Sequence, residues 1–165
     1  MGGAQFSSFG QPSINNKCTV VFRGRSKGPS EPVRGVFNGN PCNATPVAKT
    51  AAAGDVVPQP NNLAAVFNEF PAFPRIDIRG DFVATRGQST PVWEYMLPDG
   101  SDTRTGTAGV YAGLVSGSLV TGASQLGIIP AFSYYDVPAF PGVKFDQFPG
   151  APVPFDGKQI AFKGN

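Results

Sequence analysis

The residues able to do chemistry are few and widely spaced. Histidine is absent, which removes Ser-His-Asp and Cys-His catalysis, His-ligated zinc and imidazole-based pH switching. Carboxylates come next, because glycoside cleavage needs two of them at a set separation. Asp77 and Asp81 are the nearest pair, with Asp136, Asp146 and Asp156 elsewhere. Asp77 and Asp156 fall at turns, where an aspartate that hydrogen-bonds its own backbone is fully accounted for. Asp99, Ser101 and Asp102 make a polar loop with too few ligands for a recognised calcium loop. Asn43-Ala44-Thr45 spells a glycosylation acceptor, with Pro46 directly behind it. No catalytic residue, cofactor or metal is therefore expected. Trp93, Tyr95, Tyr134 and Tyr135 could offer stacking rings to a sugar, which keeps a carbohydrate-binding or glycoside-cleaving domain open as the alternative reading.

Cys18 and Cys42 are too few for a thiolate metal site and match no Cys-x-x-Cys redox motif. Either they form a structural disulfide, which implies an oxidising compartment, or they are two separate buried thiols. The 13 basic and 11 acidic residues leave a net charge of +2. The densest basic group, Arg23, Arg25 and Lys27, is too weak a patch for nucleic acid, where several phosphates must be neutralised together. No run reaches the roughly 18 apolar residues that a spanning helix needs. The opening Met1-Gly-Gly-Ala-Gln-Phe6 lacks the basic and apolar regions of a signal peptide. An exported chain would have lost its leader before this numbering begins.

The elements that position these residues are short strands. With 21 Gly and 17 Pro in 165 residues, long helices are excluded, since Gly adds entropy cost and Pro removes a donor. One segment recurs three times. It runs Phe6-x-x-Phe9-x-x-Pro12-x-Ile14-Asn15 to Val20-x-Phe22-Arg23-Gly24, then Phe67-x-x-Phe70 through Pro74-x-Ile76-Asp77 to Val83-x-Thr85-Arg86-Gly87, then Phe145-x-x-Phe148 through Pro152 to Ile160-x-Phe162-Lys163-Gly164. A second pattern, Gly35-Val36-Phe37-x-Gly39, returns as Gly109-Val110-Tyr111-x-Gly113. Internal repetition of this kind marks stacked or radially arranged units. The units run 6–66, 67–144 and, in part, 145–165, within a single repeat domain spanning 1–165.

Each unit reads as a small antiparallel meander. Thr19 to Arg23 suits a pleated surface, with Val20 and Phe22 on one side and Val21 and Arg23 on the other. Asp156-Gly157 is the strongest hairpin turn signal. The segment closest to a helix is Leu63 to Phe70, where Asn61-Asn62 could cap one or two turns. Gln88 to Thr107 reads as an excursion from the second meander. The fold class is all-β, in a partial propeller-like or stacked-sheet arrangement. Arg23, Arg86 and Lys163 hold one position in three units and could line a face for an anionic partner, or simply be solvent-facing strand ends.

The repeated pattern resembles a tandem-repeat domain of secreted and cell-surface bacterial proteins, propeller-like in its repeat logic. Gly80 keeps that family's Asn/Asp-x-x-Gly turn and Cys18 replaces it in the first unit, while Gly54-Asp55-Val56-Val57-Pro58 matches its connector. The resemblance implies an extracellular or surface location and carries no catalytic residue. The expected function is a non-enzymatic structural or protein-interaction module, self-associating or held in a larger assembly through its unpaired sheet edges.

Overall fold

The computed structural model describes residues 5–27, 33–58, 64–96, 100, 102–125 and 136–165. Every named element among them is a β-strand. The first sheet contains β1 (Gln5–Phe9), β2 (Ser13–Ile14), β3 (Val20–Lys27), β4 (Arg34–Asn40) and β5 (Thr45–Ala52), in the order β1-β3-β4-β5 with β2 also paired to β3. The second contains β6 (Phe67–Glu69), β7 (Arg75–Ile76), β8 (Phe82–Met96), β9 (Asp102–Leu114) and β10 (Val120–Ser124), in the order β10-β9-β8-β6 with β7 also on β8. Strand for strand, the two antiparallel sheets have the same arrangement. Two hairpins follow, β11 (Asp136–Val137) with β12 (Phe140–Lys144), and β13 (Val153–Phe155) with β14 (Gln159–Ala161).

The register repeats as well as the order. Phe22, Arg23 and Gly24 of β3 face Phe37, Val36 and Gly35 of β4. Thr85, Arg86 and Gly87 of β8 face Tyr111, Val110 and Gly109 of β9. Alternation along a strand then gives each sheet two unlike faces. One carries the rings, Phe6, Phe22 and Phe37 in the first sheet. The other carries Val21, Arg23, Val36 and Ala51.

These unlike faces pack on each other. The larger core joins Val21, Val36 and Ala51 of the first sheet to Phe67, Phe70, Val83 and Tyr111 of the second. The smaller core joins Ala108, Val110 and Ala123 on the far side of the second sheet to Phe145 and Phe148, with Ile160 and Phe162 packed against them. Each aliphatic face is thus covered by the ring face of the segment that follows it in the chain.

Three local outcomes differ from or extend the sequence reading. Leu63 lies outside the described residues, and Phe67–Glu69 is a strand rather than part of a helical turn. The excursion expected over 88–107 is largely a continuation of the β8–β9 ladder, which runs out to Met96 opposite Asp102. Thr and Val there suit a pleated surface as well as a loop. Asp156 and Gly157 take φ values of 53° and 64° in the three-residue connection that joins Phe155 to its partner Gln159, left-handed backbone that aspartate and glycine tolerate.

Cys18 and Cys42 form a disulfide across 24 positions. It ties the turn before β3 to the β4–β5 turn. In the chain-entropy account a loop of that length is worth about 3 kcal/mol. Reducing the bond should lower stability toward urea by about that amount, and unchanged midpoints with and without reductant would contradict it.

Candidate functional site

Three aromatic clusters are built to one plan. Phe6 meets Phe9 at 5.3 Å between ring centroids and Phe37 edge-on at 4.8 Å. Phe67 meets Phe70 at 4.9 Å and Tyr111 edge-on at 4.8 Å. Phe145 meets Phe148 at 5.3 Å. Phe22 adds a third ring to Phe6 and Phe9 at 5.7 and 5.6 Å, and Phe162 does the same for Phe145 and Phe148 at 6.0 and 5.8 Å. Edge-to-face and tilted contacts at these separations set the positive ring edge against the negative ring face.

The repeated glycine after the cation is the seat of the first ring. A β-carbon on Gly24 would lie 2.8 Å from Phe6, on Gly87 2.7 Å from Phe67, and on Gly164 2.6 Å from Phe145. Any side chain there would lift the ring off the strand.

Burial separates the three clusters. Phe67, Phe70 and Phe148 are at most 2% exposed, while Phe9 is 65% exposed. In the first cluster Phe37 is buried and Phe6 and Phe22 are half-buried, so the exposure is concentrated at Phe9.

Charge marks the first junction. Glu69 sits between Phe67 and Phe70 and accepts from Arg23 Nη2 at 3.1 Å and Arg25 Nη2 at 2.8 Å, with Arg34 Nη1 at 3.5 Å. Its Oε1 also accepts the Phe70 N–H at 2.9 Å. Burial by itself raises the Glu69 carboxyl, but the Phe70 N–H and the Arg23 and Arg25 charges outweigh it and hold the group below its ordinary value.

At the second junction Gln147 stands where Glu69 stands at the first, and Arg86 stands where Arg23 stands. Arg86 makes no ion pair among the described residues, and its Nε is buried without a hydrogen-bond partner. Burial lowers its guanidinium pKa from the ordinary value. It lines a cavity of about 260 Å³ with Ala108, Gln125, Asp146, Gln147 and Phe148. Gln147→Glu should therefore stabilise the chain, by roughly 1 kcal/mol for a half-exposed pair. A lower thermal midpoint in this variant would show that the Asp146 carboxylate next to it dominates.

The turns before β3, β8 and β14 form a hydrogen-bonded ridge. Asn15 Oδ1 accepts from the Lys17 and Thr19 N–H groups at 3.0 and 2.9 Å, and its Nδ2 donates to Asp81 Oδ1 at 2.9 Å. Thr19 Oγ1 donates to the same Asp81 oxygen at 2.7 Å. Asp77, in the place of Asn15, accepts the Arg79 N–H at 2.8 Å and reaches forward to the Gly157 N–H at 2.6 Å. The Arg79 and Gly157 N–H groups hold the Asp77 carboxyl below its ordinary value, and the Thr19 hydroxyl leads the same effect on Asp81. A general acid needs the opposite shift. This carboxylate pair bridges successive turns.

The remaining sequence candidates are dispersed. Lys163 is exposed just beyond β14, and Asp156 occupies the β13–β14 turn. Trp93 and Tyr95 lie in the outer part of β8 opposite Thr105 and Thr103, with side chains outside the described part. Tyr134, Tyr135, Asp99 and Ser101 lie outside the described residues. Asp102 opens β9 and Asp136 opens β11. Asn43 accepts from the Thr45 N–H at 3.1 Å and from its hydroxyl, so its carboxamide oxygen is engaged in its own turn. No group of three His, Cys, Asp or Glu side chains that could hold a metal occurs among the described residues.

The sequence reading missed Glu69. Its signal is an acid inside the second Phe-x-x-Phe, where the first has Ser7-Ser8 and the third Asp146-Gln147. Compared with known proteins, the chain matches no family model, no curated protein and no solved structure.

Proposed function

We propose that this chain is a non-enzymatic structural or protein-interaction module of a larger extracellular or cell-surface assembly, joined through its sheet faces. The partner it fits is an apolar β-sheet face with a cation at its margin. The carrying observation is the exposed Phe9 edge of the first sheet's ring cluster. Its Phe6–Phe9 pair repeats, in spacing and tilt, the Phe67–Phe70 and Phe145–Phe148 pairs that the two internal junctions bury. A large ring held in solvent beside other apolar rings is a contact that a partner would cover. The committed hydrogen bonds of Asp77 and Asp81 support the non-enzymatic part, and the Cys18–Cys42 disulfide supports an oxidising compartment. The same reading places the chain beside the tandem-repeat surface domains that its motif resembles.

Hydroxyl-radical footprinting tests this on the chain isolated with whatever it is bound to. Phe6 and Phe9 should be protected there and reactive in the purified, dissociated chain. Equal reactivity in both would remove the docking surface and the reading with it.

A further inference from the structure

We propose that the ring face of the first sheet takes the outward face of β13 and β14 from a second copy of this chain, so that copies stack head to tail. This rests on the interaction reading above and names its partner.

The two faces are the two halves of the junction already built inside the chain. Counting from Pro12 and from Pro152, the strands equivalent to β2 and β3 run in step, so Val153, Phe155, Ala161 and Lys163 hold the positions of Ser13, Asn15, Val21 and Arg23. In the first unit those positions lie on the face that receives the second sheet. Val21 is in the core there, Ser13 Oγ accepts the Ile76 N–H at 3.2 Å, and Asn15 reaches Asp81. In the third unit alternation points Pro154 and Ile160 inward and leaves Val153 and Phe155 outward, 47% and 44% exposed. At the other end of the stack Phe9 is 65% exposed, beside Phe6 and Phe22. Among the described residues the chain thus presents an exposed ring edge at Phe9 and an apolar face of Val153, Phe155 and Ala161, neither with the cover that its counterpart has internally. A contact between unlike faces does not close on itself, so it propagates into a ring or a filament.

The charges predict the character of the contact. The ring face carries Ser8 where the second sheet carries Glu69, so Lys163 of the partner subunit meets no carboxylate there. Association is apolar and only weakly sensitive to salt. Ser8→Glu would supply the missing acid and should tighten association roughly two- to fivefold, in a salt-dependent way.

Light scattering and sedimentation of the full, oxidised chain over a wide concentration range test the proposal, using Phe9→Asp and Ala161→Asp. Both positions are exposed, and circular dichroism with thermal melts verifies that each variant folds. The wild-type chain should associate with rising concentration. Each variant alone should stay monomeric, because one of its two faces is spoiled. An equimolar mixture should stop at a complex of two chains, since Phe9→Asp keeps its β13–β14 face and Ala161→Asp its ring face. Association of Ala161→Asp by itself would mean ring face on ring face, and would overturn the head-to-tail arrangement. A wild-type chain that stays monomeric throughout would overturn the second copy as the partner. Protection of Phe6 and Phe9 in the bound material would then still hold the interaction reading, with a different protein on that face.

Discussion

Phe67→Ala is expected to cost about 3–5 kcal/mol, the range for removing a large ring from a packed core. Phe67 touches both the ring below it and Tyr111, sits on Gly87, and is 2% exposed between two sheets. Its removal opens a cavity that the strands cannot collapse around, because β8 and β9 are held in register on either side. A domain of this size has about 5–15 kcal/mol to lose, so the variant should be close to unfolding at physiological temperature. The informative control is Phe9→Ala. The ring belongs to the same motif but lies two-thirds in solvent, so the expected loss in the isolated chain is about 1 kcal/mol or less. Urea denaturation of both variants measures the difference. Equal losses would mean that the first sheet's ring face is covered as completely as the second's.

Glu69→Gln should be the costliest charge removal in the molecule, by roughly 1–3 kcal/mol. It leaves Arg23, Arg25 and Arg34 facing one another around a neutral amide. The lower part of that range reflects the partial exposure of Arg25 and Arg34, 44% and 42%, where solvent screens the pair. The pH dependence follows from the direction of the shift. Glu69 in the folded chain titrates below its ordinary value of 4.5. Its contribution is therefore complete above that value and is lost as the pH falls through the folded pKa. Acid unfolding curves of wild type and Glu69→Gln should converge as the pH drops and separate as it rises past 5. Asp77 and Asp81 are held low in the same direction, so the variant retains part of the acid sensitivity. Curves that run parallel across this range would show that Glu69 contributes nothing through its charge.

Much of the architecture is legible in the sequence because it is local. The Phe-x-x-Phe segment, the strand ending in Phe22-Arg23-Gly24 and the turn at Asp156-Gly157 each depend on residues within a few positions of one another. Pleat alternation and left-handed turn chemistry operate at that range. The disulfide was within reach for the same reason, since both cysteines bound one short meander. The outer β8–β9 ladder was not legible, because Thr, Ser and Gly between Gln88 and Thr107 suit a loop as well as a strand. Only the pairing of two such segments decides between them.

What the tertiary structure alone decided is which face covers which. Val21 and Phe22 are neighbours in the chain, and both are apolar, so the pattern cannot tell which side of the strand is interior. Stacking in chain order settles it, by setting each aliphatic face under the rings of the next segment. The same stacking carries Glu69 back to Arg23, 46 positions away, and leaves Arg86 facing Gln147. Contacts between layers are long-range and depend on how sheets pack, information that no single segment contains. The 65% exposure of Phe9 is decided at the same level, by which layers pack on which.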